Sequence, residues 1–210
     1  MGNFYTILCF FGTVCGIRPI TTLTLRSRGT PRSVAPYLDV GKGNSMPDNW
    51  AKHRYLDASA LVKLVVDEND HEPVRSFFQS NVNFGSTSLC IVGALGVIKA
   101  KWTNGRISEE NYFAATRSLV INSCGKKIEI EDIGLFLPRG LSAVEALAKK
   151  HKLDLSDALQ LETILRGNYA HLGPNSASVL ITADTKLAKA AEAEGIRAWN
   201  CITSPLPQWA

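Results

Sequence analysis

Arg54-Tyr-Leu-Asp-Ala-Ser-Ala-Leu-Val-Lys-Leu64 starts as a short extended segment, passes a carboxylate at Asp57, and continues with the apolar spacing of a helix. A strand that ends on an acid and runs at once into a helix is the opening unit of an α/β domain. In an open parallel sheet such an acid points into the crevice at the carboxyl ends of the strands, where this architecture places ligands.

Two other segments place an aspartate at the start of a helix. Leu153-Asp-Leu-Ser-Asp-Ala-Leu-Gln-Leu161 carries Asp157, and Val179-Leu-Ile-Thr-Ala-Asp-Thr-Lys-Leu187 carries Asp184. Each alone reads equally well as a helix cap, because Asp is favoured at that position. Capping does not account for Asp57 or for the ordered set of three. Carboxylates that converge repel one another unless a hard cation neutralises them, and Mg²⁺ is the usual choice where phosphate is the other ligand. The set therefore points to metal-assisted cleavage of a phosphodiester.

Between these segments strand and helix patterns alternate, which predicts a parallel sheet with crossover helices. A strand ending at Asp57 is followed by a helix over 60–66 capped by Ser59, and by a second helix over 72–81. A strand over 84–88 leads into residues 89–102, apolar nearly all round and so expected to be buried. Ser108-Glu-Glu opens the next helix, and residues 127–130 alternate like an edge strand. Helices over 141–151 and 156–166, a strand over 179–182, a helix over 185–194 closed by Gly195, and a strand over 197–200 complete the pattern.

Residues 1–50 differ from all this. They hold five bases against two acids, whereas the remaining 160 residues hold 18 against 17, so the basic balance belongs to the leading segment. Residues 4–17 are apolar but too short for a membrane span, and they lack the basic start of a secretory signal. Residues 21–49 are rich in Thr, Ser, Gly, Pro and Arg without periodicity, and are expected to be disordered. Met46 stands just ahead of the folded pattern and is a candidate natural start. The division expected is an extension over 1–50, a domain over 51–203 and a tail over 204–210. The five cysteines are scattered, with no zinc spacing and no call for disulfides, which suits a reducing, cytoplasmic setting without a membrane.

Taken in order, Leu56-Asp-Ala-Ser-Ala-Leu-Val-Lys-Leu64, Ser156-Asp-Ala-Leu159 and Ile181-Thr-Ala-Asp-Thr-Lys-Leu-Ala-Lys-Ala-Ala-Glu-Ala-Glu-Gly-Ile196 resemble a PIN domain. More narrowly, they are similar to the VapC-type ribonucleases of toxin–antitoxin pairs. The likeness runs from Arg54 to Asn200. It implies a three-layer α/β/α sandwich with a parallel sheet, dependence on Mg²⁺ or Mn²⁺, and endonucleolytic cleavage of RNA. It also implies a small antitoxin partner and a homodimer. By position, Asp57, Asp157 and Asp184 match the family's metal-binding catalytic acids, with Ser59 and Thr182 as supporting hydroxyls. The family's further acid, a Glu in the helix after the second strand, falls at Gly93, and residues 89–100 contain no acid at all.

Three readings follow. The first is a ribonuclease using the three aspartates. The second is a non-catalytic module of the same fold, weakened at Gly93, that binds RNA or a protein. The third is a phosphohydrolase with Asp57 as nucleophile, which ranks last because that chemistry needs a second Asp where Ser59 stands. Asp154 is expected to cap its helix, Trp102 to belong to the core, and residues 67–70 to form a solvated loop. Lys63, Lys99 and Lys101 are candidates for phosphate contact, against the plainer expectation that they are solvated.

Overall fold

In the computed structural model, residues 52–125, 127–134, 137–172 and 177–209 are described. The expectations for residues 1–50 lie outside them. Twelve elements follow in order: β1 (Arg54–Leu56), α1 (Ala58–Val65), α2 (Glu72–Ser80), β2 (Phe84–Ser86), α3 (Ser88–Thr103), α4 (Glu109–Cys124), β3 (Ile128–Ile130), α5 (Pro138–His151), α6 (Leu155–Arg166), β4 (Val179–Thr182), α7 (Thr185–Ala193) and β5 (Arg197–Asn200). The five strands form one sheet in the order β3-β2-β1-β4-β5. Every pairing is parallel, with Leu56 opposite Ile181 and Ile181 opposite Trp199.

Both faces of the sheet are covered, which gives the three-layer α/β/α sandwich. Alternate strand residues feed the two cores. Leu56, Phe84, Ile128, Ile181 and Trp199 pack under α1–α4, while Tyr55 and Leu180 pack under α5–α7. Strands buried on both sides read as continuous apolar runs, and for that reason residues 179–181 announced a central strand. On the first face Phe77 meets both Phe84 and Trp199 edge-on, with centroids 5.9 and 5.3 Å apart. On the second, Gly85 leaves room for the His53 ring, which stacks on Tyr169 at 3.8 Å.

Several local expectations change. Asp57, not Ser59, caps α1: its backbone is extended and its carboxylate accepts from Ala60 N. β2 stops at Ser86 because Thr87 turns to cap α3. α5 starts at Pro138, whose missing N–H is harmless in a first turn. α3 is apolar all round yet buries only Cys90, Ala94 and Ile98, and leaves Val92 64% and Val97 43% exposed. Only its inner face has a core to meet.

The acidic segment 67–70 is also more than a solvated loop. Glu68 bridges Lys63 and Lys101 at 3.4 and 2.6 Å, and Asp67 binds Arg75 at 2.6 Å. At the C-terminal end, the Trp199 indole donates to Ser204 O at 3.1 Å and Lys52 donates to Trp209 O. Those bonds hold residues 204–209 against the domain.

Candidate functional site

β1 and β4 are neighbours, but their chain connections leave in opposite directions across the sheet, which makes this the switch point of the topology. Asp57 follows the last residue of β1, and Asp184 lies two residues beyond β4. The parallel register sets both at the same end of the sheet.

Asp57 is 3% exposed and fully provided with donors. Thr182 Oγ1 donates to its Oδ2 at 2.6 Å, Ala60 N to Oδ1 at 2.8 Å, and Ser59 Oγ to both oxygens at 2.9 and 3.0 Å. The two hydroxyls in turn accept from backbone: Ser59 from Ala183 N at 2.7 Å and Thr182 from Asp184 N at 2.8 Å. Ser59 and Thr182 therefore tie the ends of β1 and β4 together through Asp57. Burial pushes the Asp57 carboxyl up to about 6, opposed by the bonds from Thr182, Ala60 and Ser59 and reinforced by the charge of Asp184.

Asp184 caps α7, its Oδ1 accepting from Lys186 N at 2.6 Å and Leu187 N at 3.1 Å. The capping role holds for this residue, and among the described residues its Oδ2 receives no hydrogen bond. Asp157 behaves otherwise. The cap of α6 is Asp154, as expected, and it accepts from Asp157 N at 2.8 Å. Among the described residues, the Asp157 carboxylate receives no hydrogen bond. Burial pushes it up to about 7, helped by the negative charges of Asp154, Asp57 and Asp184 and opposed by Lys186. The three aspartates thus share one electrostatic neighbourhood, although 126 residues of chain lie between Asp57 and Asp184. They do not form a closed cage: among the described residues, no three His, Cys, Asp or Glu side chains stand close enough to hold an ion as placed.

Gly93 lies on the exposed side of α3 beside this group. A side chain built there meets only Ala58 Cβ, at 3.4 Å, and Ala58 adjoins Asp57. One turn earlier, Cys90 packs against the site with Sγ 3.1 Å from Gln160 Oε1. Burial pushes its thiol up to about 12, so it remains protonated.

Sequence reasoning missed two residues. Lys186 donates its ammonium to the carbonyl of Lys152, joining α7 to the end of α5 beside Asp157. A cation in the first turn of a helix opposes the helix dipole, and that was the available signal. Of the lysines singled out from sequence, Lys63 and Lys101 are instead ion-paired to Glu68. Trp102 is half-buried and stacks on Tyr112 at 4.5 Å.

No family model matches the chain. No curated protein matches it either. Five solved chains do. One is the crystal structure of PAE2754 from Pyrobaculum aerophilum, 20% identical over 71% of this chain and 91% of that one, with a TM-score of 0.48.

Proposed function

We propose that this chain is a PIN-type endoribonuclease dependent on Mg²⁺ or Mn²⁺, of the VapC kind that pairs with a small antitoxin. One observation carries the reading. Three aspartates from distant segments lie within one another's field near the switch point of a parallel sheet. Burial together with the charges of Asp154, Asp57 and Asp184 raises Asp157, opposed by Lys186, while among the described residues its carboxylate receives no hydrogen bond. Carboxylates crowded in this way call for a cation, and an all-oxygen donor set suits a hard one.

Tested against that ion, the residues fit in donor chemistry. Among the described residues, the Asp157 carboxylate receives no hydrogen bond, and Asp184 keeps one oxygen clear of its helix. Asp57 is the fixed member, oriented by Ser59, Thr182 and Ala60. When bound, the metal supplies neutralisation of phosphate charge and activation of water. The protein's own part is to hold Asp57 rigidly, to keep Asp157 and Asp184 within its field, and to present an open rim that a long polymer can cross.

The test is cleavage of single-stranded RNA by the purified chain with and without Mg²⁺, beside Asp57→Asn. Cleavage that needs the cation and disappears in the variant supports the reading. Absence of both cleavage and cation binding overturns it.

A second reading, a non-catalytic RNA- or protein-binding module, is favoured by Gly93, which leaves the site one carboxylate short. We also propose a homodimer through the outer face of α3. Val92, Gly93, Gly96 and Val97 are exposed there and uncharged, and a two-fold interface would bring the same patch of both chains together. Val97→Lys is then expected to shift the mass measured by light scattering from two chains to one. As to a membrane, no helix of the described residues is long and apolar enough to cross one.

A further inference from the structure

Lys152 and Lys186 are each a poor local choice where they stand. Lys152 closes α5 in the left-handed region at φ 55°, ψ 42°, a position usually given to Gly or Asn. Lys186 is the second residue of α7, where the helix dipole disfavours a cation. The fold nevertheless brings them into contact, the Lys186 ammonium resting on the Lys152 carbonyl. Lys186 lies two residues after Asp184 of the site, and Lys152 two residues before Asp154, the cap of the helix that carries Asp157.

Neighbouring cations are occupied. Lys150 pairs with Glu194 at 2.7 Å, and Lys63 and Lys101 share Glu68. Among the described residues, Lys152 and Lys186 have no carboxylate within ion-pair distance, and both are exposed. Two locally unfavourable choices that converge on one spot mark a constraint other than folding. A cluster of carboxylates repels a polyanion, and unpaired ammonium groups on its rim are what would offset that repulsion.

We propose that Lys152 and Lys186 form a phosphate-binding subsite that grips the backbone of single-stranded RNA next to the phosphate positioned at Asp57, Asp157 and Asp184. This inference rests on the ribonuclease reading and names the side from which the strand is held. The α5–α7 rim takes the sugar–phosphate chain.

The test is binding of a labelled single-stranded RNA oligonucleotide to the full chain in EDTA, followed by fluorescence anisotropy across NaCl concentrations. Each phosphate contact on a single strand contributes about 0.7 to the slope of log affinity against log salt. Lys152→Gly with Lys186→Ala, which preserves the left-handed turn and relieves the dipole conflict, is expected to make the slope shallower by about 1.4 and to melt no lower than wild type. Arg117→Ala, exposed on α4, is expected to leave the slope unchanged. A wild-type slope in the double variant overturns the subsite, as does wild-type binding that does not respond to salt. Cleavage with Mg²⁺ is scored separately. A chain that never cleaves but loses slope in the double variant refutes the nuclease and keeps the subsite.

Discussion

Replacing Gly93 by Glu tests the site most directly, and the structure sets what to expect. A β-carbon at position 93 meets a single neighbour, Ala58 Cβ at 3.4 Å, which is ordinary contact, and the residue is exposed. The added β-carbon therefore meets no steric barrier. Glycine inside a helix costs about 0.8–1.0 kcal/mol relative to Ala, and Glu is among the better helix formers, so backbone propensity alone favours the variant by roughly 0.5 kcal/mol. Opposing this, a new carboxylate joins a group in which Asp57 and Asp157 are already raised by burial and by their neighbours' charges. Without metal these effects offset, and melting should stay within a few degrees of wild type. With Mg²⁺ the charge penalty is relieved, so the variant should gain more in melting temperature than wild type does. A single electrostatic stabiliser is worth about 10²–10³ in rate, and cleavage of a fluorophore–quencher RNA should rise by that order. The enzyme reading expects this rise from measurable wild-type cleavage; the non-catalytic reading expects cleavage in the variant alone. A folded variant with unchanged cation affinity and unchanged cleavage would refute the reasoning outright, because position 93 would then not face the acids.

The remaining predictions concern charge and packing. Asp57 and Asp157 are raised in the folded state, so below about pH 4 both are protonated in either state, and above that the unfolded chain loses its protons first. Stability without metal should therefore fall as pH rises from about 4 to 7, and a melting series on Asp57→Asn/Asp157→Asn should be flatter across that window. Asp57→Asn keeps an oxygen for Ala60 N and the fold should persist, while divalent-cation binding measured by calorimetry should drop by at least tenfold. Gly85→Ala places a methyl 2.2 Å from His53 Nε2 and should destabilise by about 1–3 kcal/mol. His53→Ala in the same chain should recover part of that in urea melts, and full additivity of the two changes would refute the packing account.

The sequence by itself determined the alternation of strand and helix, the parallel sheet, and the three aspartates at element boundaries, because each is written in a local pattern. Buried parallel strands are apolar runs such as residues 179–181, and Ser108 and Gly195 mark helix ends by their own chemistry. The cap at Asp154 was expected from the sequence, but only the tertiary structure decided between capping and the shared site for Asp157 and Asp184. Asp154 takes the cap of α6 and releases Asp157, whereas Asp184 serves both its helix and the site. The sequence offered Ser59 both as a cap of α1 and as a supporting hydroxyl, and only the structure chose the second; nor could the sequence show that α3 leaves Val92 and Val97 exposed. Those outcomes depend on which neighbours the sheet order supplies. The meeting of Lys152 with Lys186 was hidden for the same reason: 33 residues lie between them, and only the packing of α5 against α7 closes that gap.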